Sequence, residues 1–255
     1  MAPIYPVYIR DGSGNIMQDS RGMLMYDFGD GKNAGMVRPN APNANPLRLL
    51  TLDRNITNGN AFTGTAFAEV KFLKDFKFTF NVGTGVDGRR YTSMNNMYYG
   101  QFATNGGTLY KEHERRFYIN LQQLLNYSRT FAGVHNVDVL LGHETYDMNT
   151  ETVSAYKTKM FSLENLELGG AVIDGQQAGS SRSEYNNEGF FIRAQYDYAD
   201  RIFVSGSYRL DASSRFHKDR RWGNFWSAGA GWLINHESWF NAFWVDMLKL
   251  KASAG

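Results

Sequence analysis

The chain has 255 residues, and its 27 basic and 25 acidic side chains leave a formal net charge of +2, so no global field draws it to nucleic acid. It contains no cysteine, which excludes a disulfide scaffold, a cysteine-ligated zinc site and a thiol nucleophile. No run approaches the roughly 20 apolar residues of a membrane-spanning helix, whereas 15% aromatic residues and 26 glycines suit strands and turns.

The first residues, Met1-Ala2-Pro3-Ile4-Tyr5-Pro6, show no basic segment and apolar core of a secretion signal, which leaves a cytoplasmic protein or a start that lies elsewhere. All five prolines (Pro3, Pro6, Pro39, Pro42 and Pro46) fall in a stretch dense in Gly, Asn and Asp, so residues 1 to about 60 are expected to form a long loop. Beyond Pro46 nothing interrupts a hydrogen-bonded ladder. Alternation with a period of two then begins. Ala66, Ala68, Val70 and Phe72 alternate with Thr65, Glu69 and Lys71; after Leu73-Lys74-Asp75, Phe76, Phe78, Phe80 and Val82 alternate with Lys77, Thr79 and Asn81. That spacing predicts a tight hairpin. A third run sets Phe117, Ile119, Leu121 and Leu125 against Tyr118, Asn120, Gln122 and Asn126. A fourth sets Val137, Val139 and Leu141 against Asn136 and Asp138. The fifth and sixth place Phe190, Ile192, Ala194 and Tyr196, then Ile202, Val204, Tyr208 and Leu210, on the apolar side of Arg193, Gln195 and Asp197, then Ser205, Ser207, Arg209 and Asp211. The seventh sets Trp226, Ala228, Ala230, Trp232 and Ile234 against Ser227, Gly229 and Gly231. An eighth opens with Leu248, Leu250, Ala252 and Ala254 against Lys249, Lys251 and Ser253.

No charged residue enters any of the eight apolar sets. Short connections alternate with long ones, placed at about 84–112, 147–188 and 212–221. The connection from Asn235 to Asp246 breaks this pattern, being long where a short one is due, and suggests a short helical turn. A soluble sandwich alternates in the same way as a membrane barrel, so strand length has to separate them. The runs around 114–128 and 134–146 exceed the roughly five or six residues of an ordinary strand and reach the nine to eleven of a tilted membrane-crossing one. The five tryptophans (Trp222, Trp226, Trp232, Trp239 and Trp244) flank or line one strand, as in an interfacial girdle or a sandwich core.

The run Tyr208-Arg209-Leu210-Asp211-Ala212-Ser213-Ser214-Arg215-Phe216, followed by Arg221-Trp222-Gly223-Asn224-Phe225-Trp226-Ser227, resembles a signature of SusC/RagA-type TonB-dependent transporters. Gly142-His143-Glu144, Arg193-Ala194-Gln195-Tyr196-Asp197-Tyr198 and Leu248-Lys249-Leu250-Lys251-Ala252-Ser253-Ala254-Gly255 are similar to the same family in order and spacing. Ala212 departs from it, standing where the family usually has glycine. The resemblance implies an all-β, antiparallel transmembrane β-barrel segment: about eight strands of a barrel of about 22, with long extracellular loops. It implies residues 1–60 as an extracellular loop region and 61–255 as partial barrel, with plug, signal peptide and remaining strands outside this chain. It further implies a cell outer membrane location, outer-membrane lipid around the strands and a SusD-like surface lipoprotein. A TonB complex would act through the missing N-terminal part, and the substrate would be an oligosaccharide or a peptide. The alternative is a soluble all-β carbohydrate-binding or adhesive module, its apolar sets forming a core.

Other motifs dissolve on inspection. Gly83-Thr84-Gly85-Val86-Asp87-Gly88 matches a dinucleotide fingerprint, but the residues after it do not start a helix that could hold a pyrophosphate. Asp27-Phe28-Gly29 lacks the other kinase motifs and is expected to be a turn. His143-Glu144 lacks the second histidine of a zinc protease, and His113, His135, His143, His217 and His236 are scattered. Ser180, Ser181 and Ser183 have no positioned base. No catalytic residue, cofactor or metal is therefore expected. The site candidates are Tyr98, Tyr99 and Phe102, loop aromatics able to stack on a sugar ring, with Trp226 and Trp232 as a lipid-facing girdle. Arg209 and Asp211 are expected on the polar side, shaping a pore wall.

Overall fold

In the computed structural model of the chain, residues 5–39, 45–174 and 178–255 are described. Pro3 and Pro42 of the proline-rich start, and part of the connection predicted at 147–188, lie outside them. Among the described residues no helix is long and apolar enough to cross a membrane. The order of elements is α1 (Pro46–Leu52), β1 (Arg54–Phe72), β2 (Phe76–Asn95), β3 (Thr108–Phe131), β4 (His135–Met160), β5 (Ala171–Asp174), β6 (Gly179–Tyr198), β7 (Ile202–Ser213), β8 (Trp222–Leu233) and β9 (Lys249–Ala254). Eight strands follow the path β1-β2-β3-β4-β6-β7-β8-β9 and β5 pairs with β4, so the sheet has nine. The all-β antiparallel reading holds, with one strand more than the sequence indicated.

The strands are longer than their apolar runs. β2 has 20 residues, β3 24, β4 26 and β6 20, so the stretches between β2 and β3 and between β4 and β6 shrink to 96–107 and 161–178, the latter holding β5. Alternation underestimates them because their far halves carry charged and polar residues on both sides. The predicted turn of Leu73–Asp75 is present, with Leu73 and Lys74 in the left-handed region. Gly83–Gly88, the apparent fingerprint, is uninterrupted strand β2. The helical turn expected after β8 is the 3-10 turn Ile234–His236.

The chain divides into two compact units. The first comprises 1–60, 88–115 and 151–181. Residues 1–60 therefore hold more than loop: isolated bridges (Tyr8 with Tyr26, Gln18 with Leu24), helix α1, and the beginning of β1. Asn45 caps α1 by accepting from the Arg48 N–H at 3.3 Å, and Pro46 fills the first helical turn, where no N–H is needed. The apolar centre of this unit is small: Met94, Leu109, Met160 and Ala171, with Met97, Leu163, Leu166 and Leu168 packed against it.

The second unit comprises 61–87, 116–150 and 182–255. Here pairing register fixes two faces, because directly opposed residues in adjacent strands share a side. Ile192↔Tyr208↔Trp226 and Tyr196↔Val204↔Ala230 form rows on one side, while Phe191↔Arg209↔Phe225 and Gly189↔Asp211↔Gly223 form rows on the other. Tight turns follow β1, β3 and β6, and they join at one rim: the Ala199 N–H donates to the Val134 carbonyl, the Ser128 N–H to that of Asp75 and the Leu233 N–H to that of Arg201.

Gly142 shows how tightly the polar side is filled. A Cβ there would stand 2.1 Å from the Phe191 ring, which lies over the β4 backbone where no side chain intrudes. Gly142→Ala is expected to lower stability by about 1–3 kcal/mol through overpacking. A denaturant midpoint shift with unchanged slope would show it, whereas Gly179→Ala, with open space around it, should leave the midpoint unchanged.

Candidate functional site

Tyr98 and Tyr99 belong to the first unit, in the connection after β2, and their position is set by a buried ion pair. Arg48 of α1 donates to both oxygens of Asp53, at 3.0 and 3.2 Å, with each side chain 4% exposed. The backbone N–H and side-chain amide of Asn96 also donate to Asp53 Oδ1, at 3.0 and 2.6 Å. Asn96 Oδ1 in turn accepts from the N–H groups of Tyr98 and Tyr99, at 3.0 and 2.9 Å. A chain of hydrogen bonds, charge-assisted where it passes through Asp53, thus runs from a helix to two tyrosine backbones. Gly100 closes the turn at φ +86°, with the Arg48 guanidinium 2.7 Å from where a Cβ would stand.

The rings are engaged as firmly. The Tyr99 hydroxyl donates to Asp19 Oδ2 at 2.7 Å, and its ring lies against Tyr26 and Phe28, with centroids 6.1 Å apart in each case. Arg21 bonds the same carboxylate at 2.8 Å and lays its guanidinium 4.2 Å over the Tyr98 ring. The Tyr99 hydroxyl, and then Arg21, hold Asp19 well below the ordinary carboxylate value. Burial, reinforced by the neighbouring Asp19, pushes Tyr99 up to about 12. Phe102 is half-buried and heads the 3-10 turn Ala103–Asn105. The structure therefore brings Tyr98 and Tyr99 together on the Asp19–Arg21 turn and sets Phe102 in a separate turn. Asp19, Arg21, Arg48, Asp53 and Asn96 escaped the sequence reading, and the cap Asn45-Pro46 was the one local signal that order begins there.

A second buried pair supports the same unit. Arg38 and Asp27 are 3.1 Å apart, each 4% exposed, and Asp27 also accepts from the Asn33 amide at 2.8 Å and from the Gly29 N–H at 2.6 Å. Asp27-Phe28-Gly29 is thus a turn, as read, and its aspartate is a structural acceptor.

On the polar side of the second unit, Arg209 Nε lies 2.8 Å from both oxygens of Asp211, and a terminal nitrogen lies 3.5 Å from Glu144. Phe191 and Phe225 oppose Arg209 from the flanking strands, and Phe191 stands 5.2 Å from the guanidinium carbon. Arg209, Asp211, Glu144 and Phe225 border a cleft of about 720 Å³ that also reaches Tyr146, Tyr185 and Trp222. Further along the same side, Asn81 pairs with Gln122 at 2.9 Å, Asn136 with Asp197 at 2.7 Å, and Ser207 with Ser227 at 2.8 Å. The opposite side is apolar and open: Phe190 is 43% exposed, Val204 49%, Trp226 57% and Trp232 36%. It carries a polar break at His143, whose ring contacts Gln123 at 2.7 Å and Glu188 at 3.1 Å and stacks on Phe190. Among the described residues no three His, Asp or Glu side chains gather as they would around a metal ion.

No family model matches the chain. TonB-dependent receptor P39 of Formosa agariphila is 26% identical over 96% of this chain and 24% of its own length. TonB-dependent receptor SusC of Bacteroides thetaiotaomicron is 27% identical over 92% of this chain and 23% of its own. Two structures of RagAB, described as a peptide transporter and as a peptide importer in its open-open state, match with TM-scores of 0.76 and 0.75. Their identities are 19% and 20%, covering 91% and 92% of this chain. The likeness to SusC/RagA-type transporters read from Tyr208–Phe216 and Arg221–Ser227 thus holds in sequence and in fold. The chain spans about a quarter of the length of the curated relatives it matches.

Two outcomes follow for the aromatic turn. Asp53→Ala strands Arg48 without its buried partner, at a cost of about 3–5 kcal/mol; hydrogen exchange should then quicken throughout 96–107. Asp19 has a lowered value, so its contribution is complete above the ordinary carboxylate range and is lost as pH falls through its own lower value. Tyr99 has a raised one, so its contribution holds below the ordinary phenol value and is lost as pH rises through about 12. Protection of 18–26 and 96–102 from proteolysis should therefore stay level from about pH 5 to 9, and Asp19→Asn should remove the acid-side loss.

Proposed function

We propose that this chain is a stretch of the outer-membrane β-barrel of a SusC/RagA-like TonB-dependent importer. In the second unit the apolar rows face lipid and the polar side lines a lumen through which substrate passes without covalent chemistry. The observation that carries the reading is the separation of the faces. Tyr196, Ile192, Phe190, Val204, Tyr208 and Trp226 stand exposed on one side of antiparallel strands whose other side is laced by Asn, Ser, Asp and Arg bonds. A water-soluble sheet buries its apolar rows, whereas a barrel turns them to hydrocarbon and keeps its polar rows within. The two curated receptors and the RagAB fold support this.

Trp226 and Trp232 serve as the lipid-facing girdle. The rim of tight turns faces the periplasm, and the connections after β2, β4 and β7 face outward with most of residues 1–60. The full importer takes up oligosaccharides or peptides beneath a SusD-like lipoprotein and draws energy from TonB through a part of the protein outside this chain. Nucleic acid has no role. Tyr98 and Tyr99 act through a fixed loop surface, because the Tyr99 hydroxyl is already committed to Asp19; Phe102 remains available as a stacking ring.

In the parent protein, Ile192→Arg should cost about 2–4 kcal/mol, since it places a guanidinium among lipid chains, and the same change at Ser205, on the polar side, should cost far less. Unfolding from vesicles checks both. Equal costs, or recovery of the parent protein without detergent from membrane-free lysate, would instead favour a soluble all-β carbohydrate-binding module.

A further inference from the structure

The connection between β8 and β9 is too long for the tight-turn rim and too apolar for water. Its base is closed by Asn235, which donates to the Asp246 carbonyl at 3.2 Å and accepts from the Leu248 N–H at 3.1 Å, while the Ile234 N–H donates to the Leu248 carbonyl at 2.8 Å. Glu237 anchors its near side, meeting Arg201 at 3.2 Å and accepting from the Trp232 indole at 3.0 Å. His236 adds a 3.0 Å contact to the Asp200 carbonyl, and turn bonds run from the Phe240 N–H to Glu237 and from the Val245 N–H to Ala242. The segment is therefore held in one shape from several points.

That shape turns its large side chains outward. Phe243 is 99% exposed, Trp244 76%, Met247 70% and Trp239 61%. Asp246 is the sole residue of 238–248 with an ionised side chain. A patch of this size left in water is costly and marks a contact surface. Its continuity identifies the contact: the Trp239 ring lies 6.1 Å from that of Trp232, which ends the apolar row of β8 and pairs in register with Leu250, itself 62% exposed. The patch prolongs the apolar side of the sheet past the last strand residue at the tight-turn rim. Indole and phenyl rings mixed with single polar groups suit the boundary between headgroups and acyl chains.

We propose that residues 238–248 are an interfacial anchor that rests in the headgroup boundary of the leaflet at the tight-turn rim and fixes the depth of β8 and β9. The proposal rests on the lipid-facing reading of the apolar rows and adds a second, in-plane contact to it. Because Asp246 is the one charge, the anchor needs apolar boundary area and not anionic lipid.

The test places a nitroxide at Phe243→Cys in the parent protein, reconstituted in phosphatidylcholine vesicles. Residues 1–255 contain no cysteine, and any elsewhere in the parent is replaced first. Phe243 makes no packing demand at 99% exposure, so the substitution should leave the fold intact. Val204→Cys reports the lipid-facing row, and Lys218→Cys, in the exposed turn before β8, reports water. The expected result is that oxygen reaches the Phe243 label more readily than a soluble nickel chelate does, with a ratio between those of the Val204 and Lys218 labels, unchanged when phosphatidylglycerol is added. Chelate access equal to that at Lys218 would overturn the proposal, as would exclusion of both reagents, which would mean that protein covers the segment. In either case a lipid-like Val204 label leaves the barrel reading standing; a water-like Val204 label would bring down both.

Discussion

A β-strand presents successive side chains to opposite sides, so a strand between two unlike environments must satisfy both with every second residue. Everything in the second unit depends on that constraint. Register keeps Ile192, Tyr208 and Trp226 together and Phe191, Arg209 and Phe225 together; a slip of one residue would carry Arg209 into the apolar row and Leu210 into the polar one. Such a slip would part Arg209 from Asp211 and Glu144, whose bonds hold it on the polar side.

The polar side resolves the same constraint with reciprocal bonds. Arg209 is divided between Asp211, two positions on along β7, and Glu144, two strands away across β6, while Asn136 meets Asp197 and Ser207 meets Ser227 from adjacent strands. Gly142 and Gly189 remove side chains where Phe191 and the Asp211–Arg209 pair lie across the sheet. The cleft at this place is thus shaped by what glycine omits as much as by what the charged residues supply.

The first unit is organised differently. Its apolar centre is a handful of residues, and the ordering falls to Arg48–Asp53 and Arg38–Asp27, ion pairs that are almost fully withdrawn from water. Such pairs contribute little net stability compared with apolar packing, but removing one partner is severe. They therefore specify a single arrangement for a segment rich in Gly, Asn and Pro that has little else to choose one.

The sheet was legible from alternation alone. Alternation located all eight strands on the main path, the turn at Leu73–Asp75, the two unlike sides, and the family likeness carried by Tyr208–Phe216 and Arg221–Ser227, because strand pattern is local and repeats every two residues. It missed the far halves of β2, β3 and β4 and the first half of β6, where polar residues stand on both sides and the pattern vanishes, and it missed β5, which is four residues long. The remaining contacts join residues far apart in the chain. Asp19 and Tyr99 are 80 positions apart in the chain, and Asp53 and Asn96 are 43 apart, so no local pattern announces either contact. The 235–248 connection read only as a turn of the wrong length. That its aromatic side chains face outward followed from how Asn235 and Glu237 close its base, a matter of bond geometry that composition does not encode.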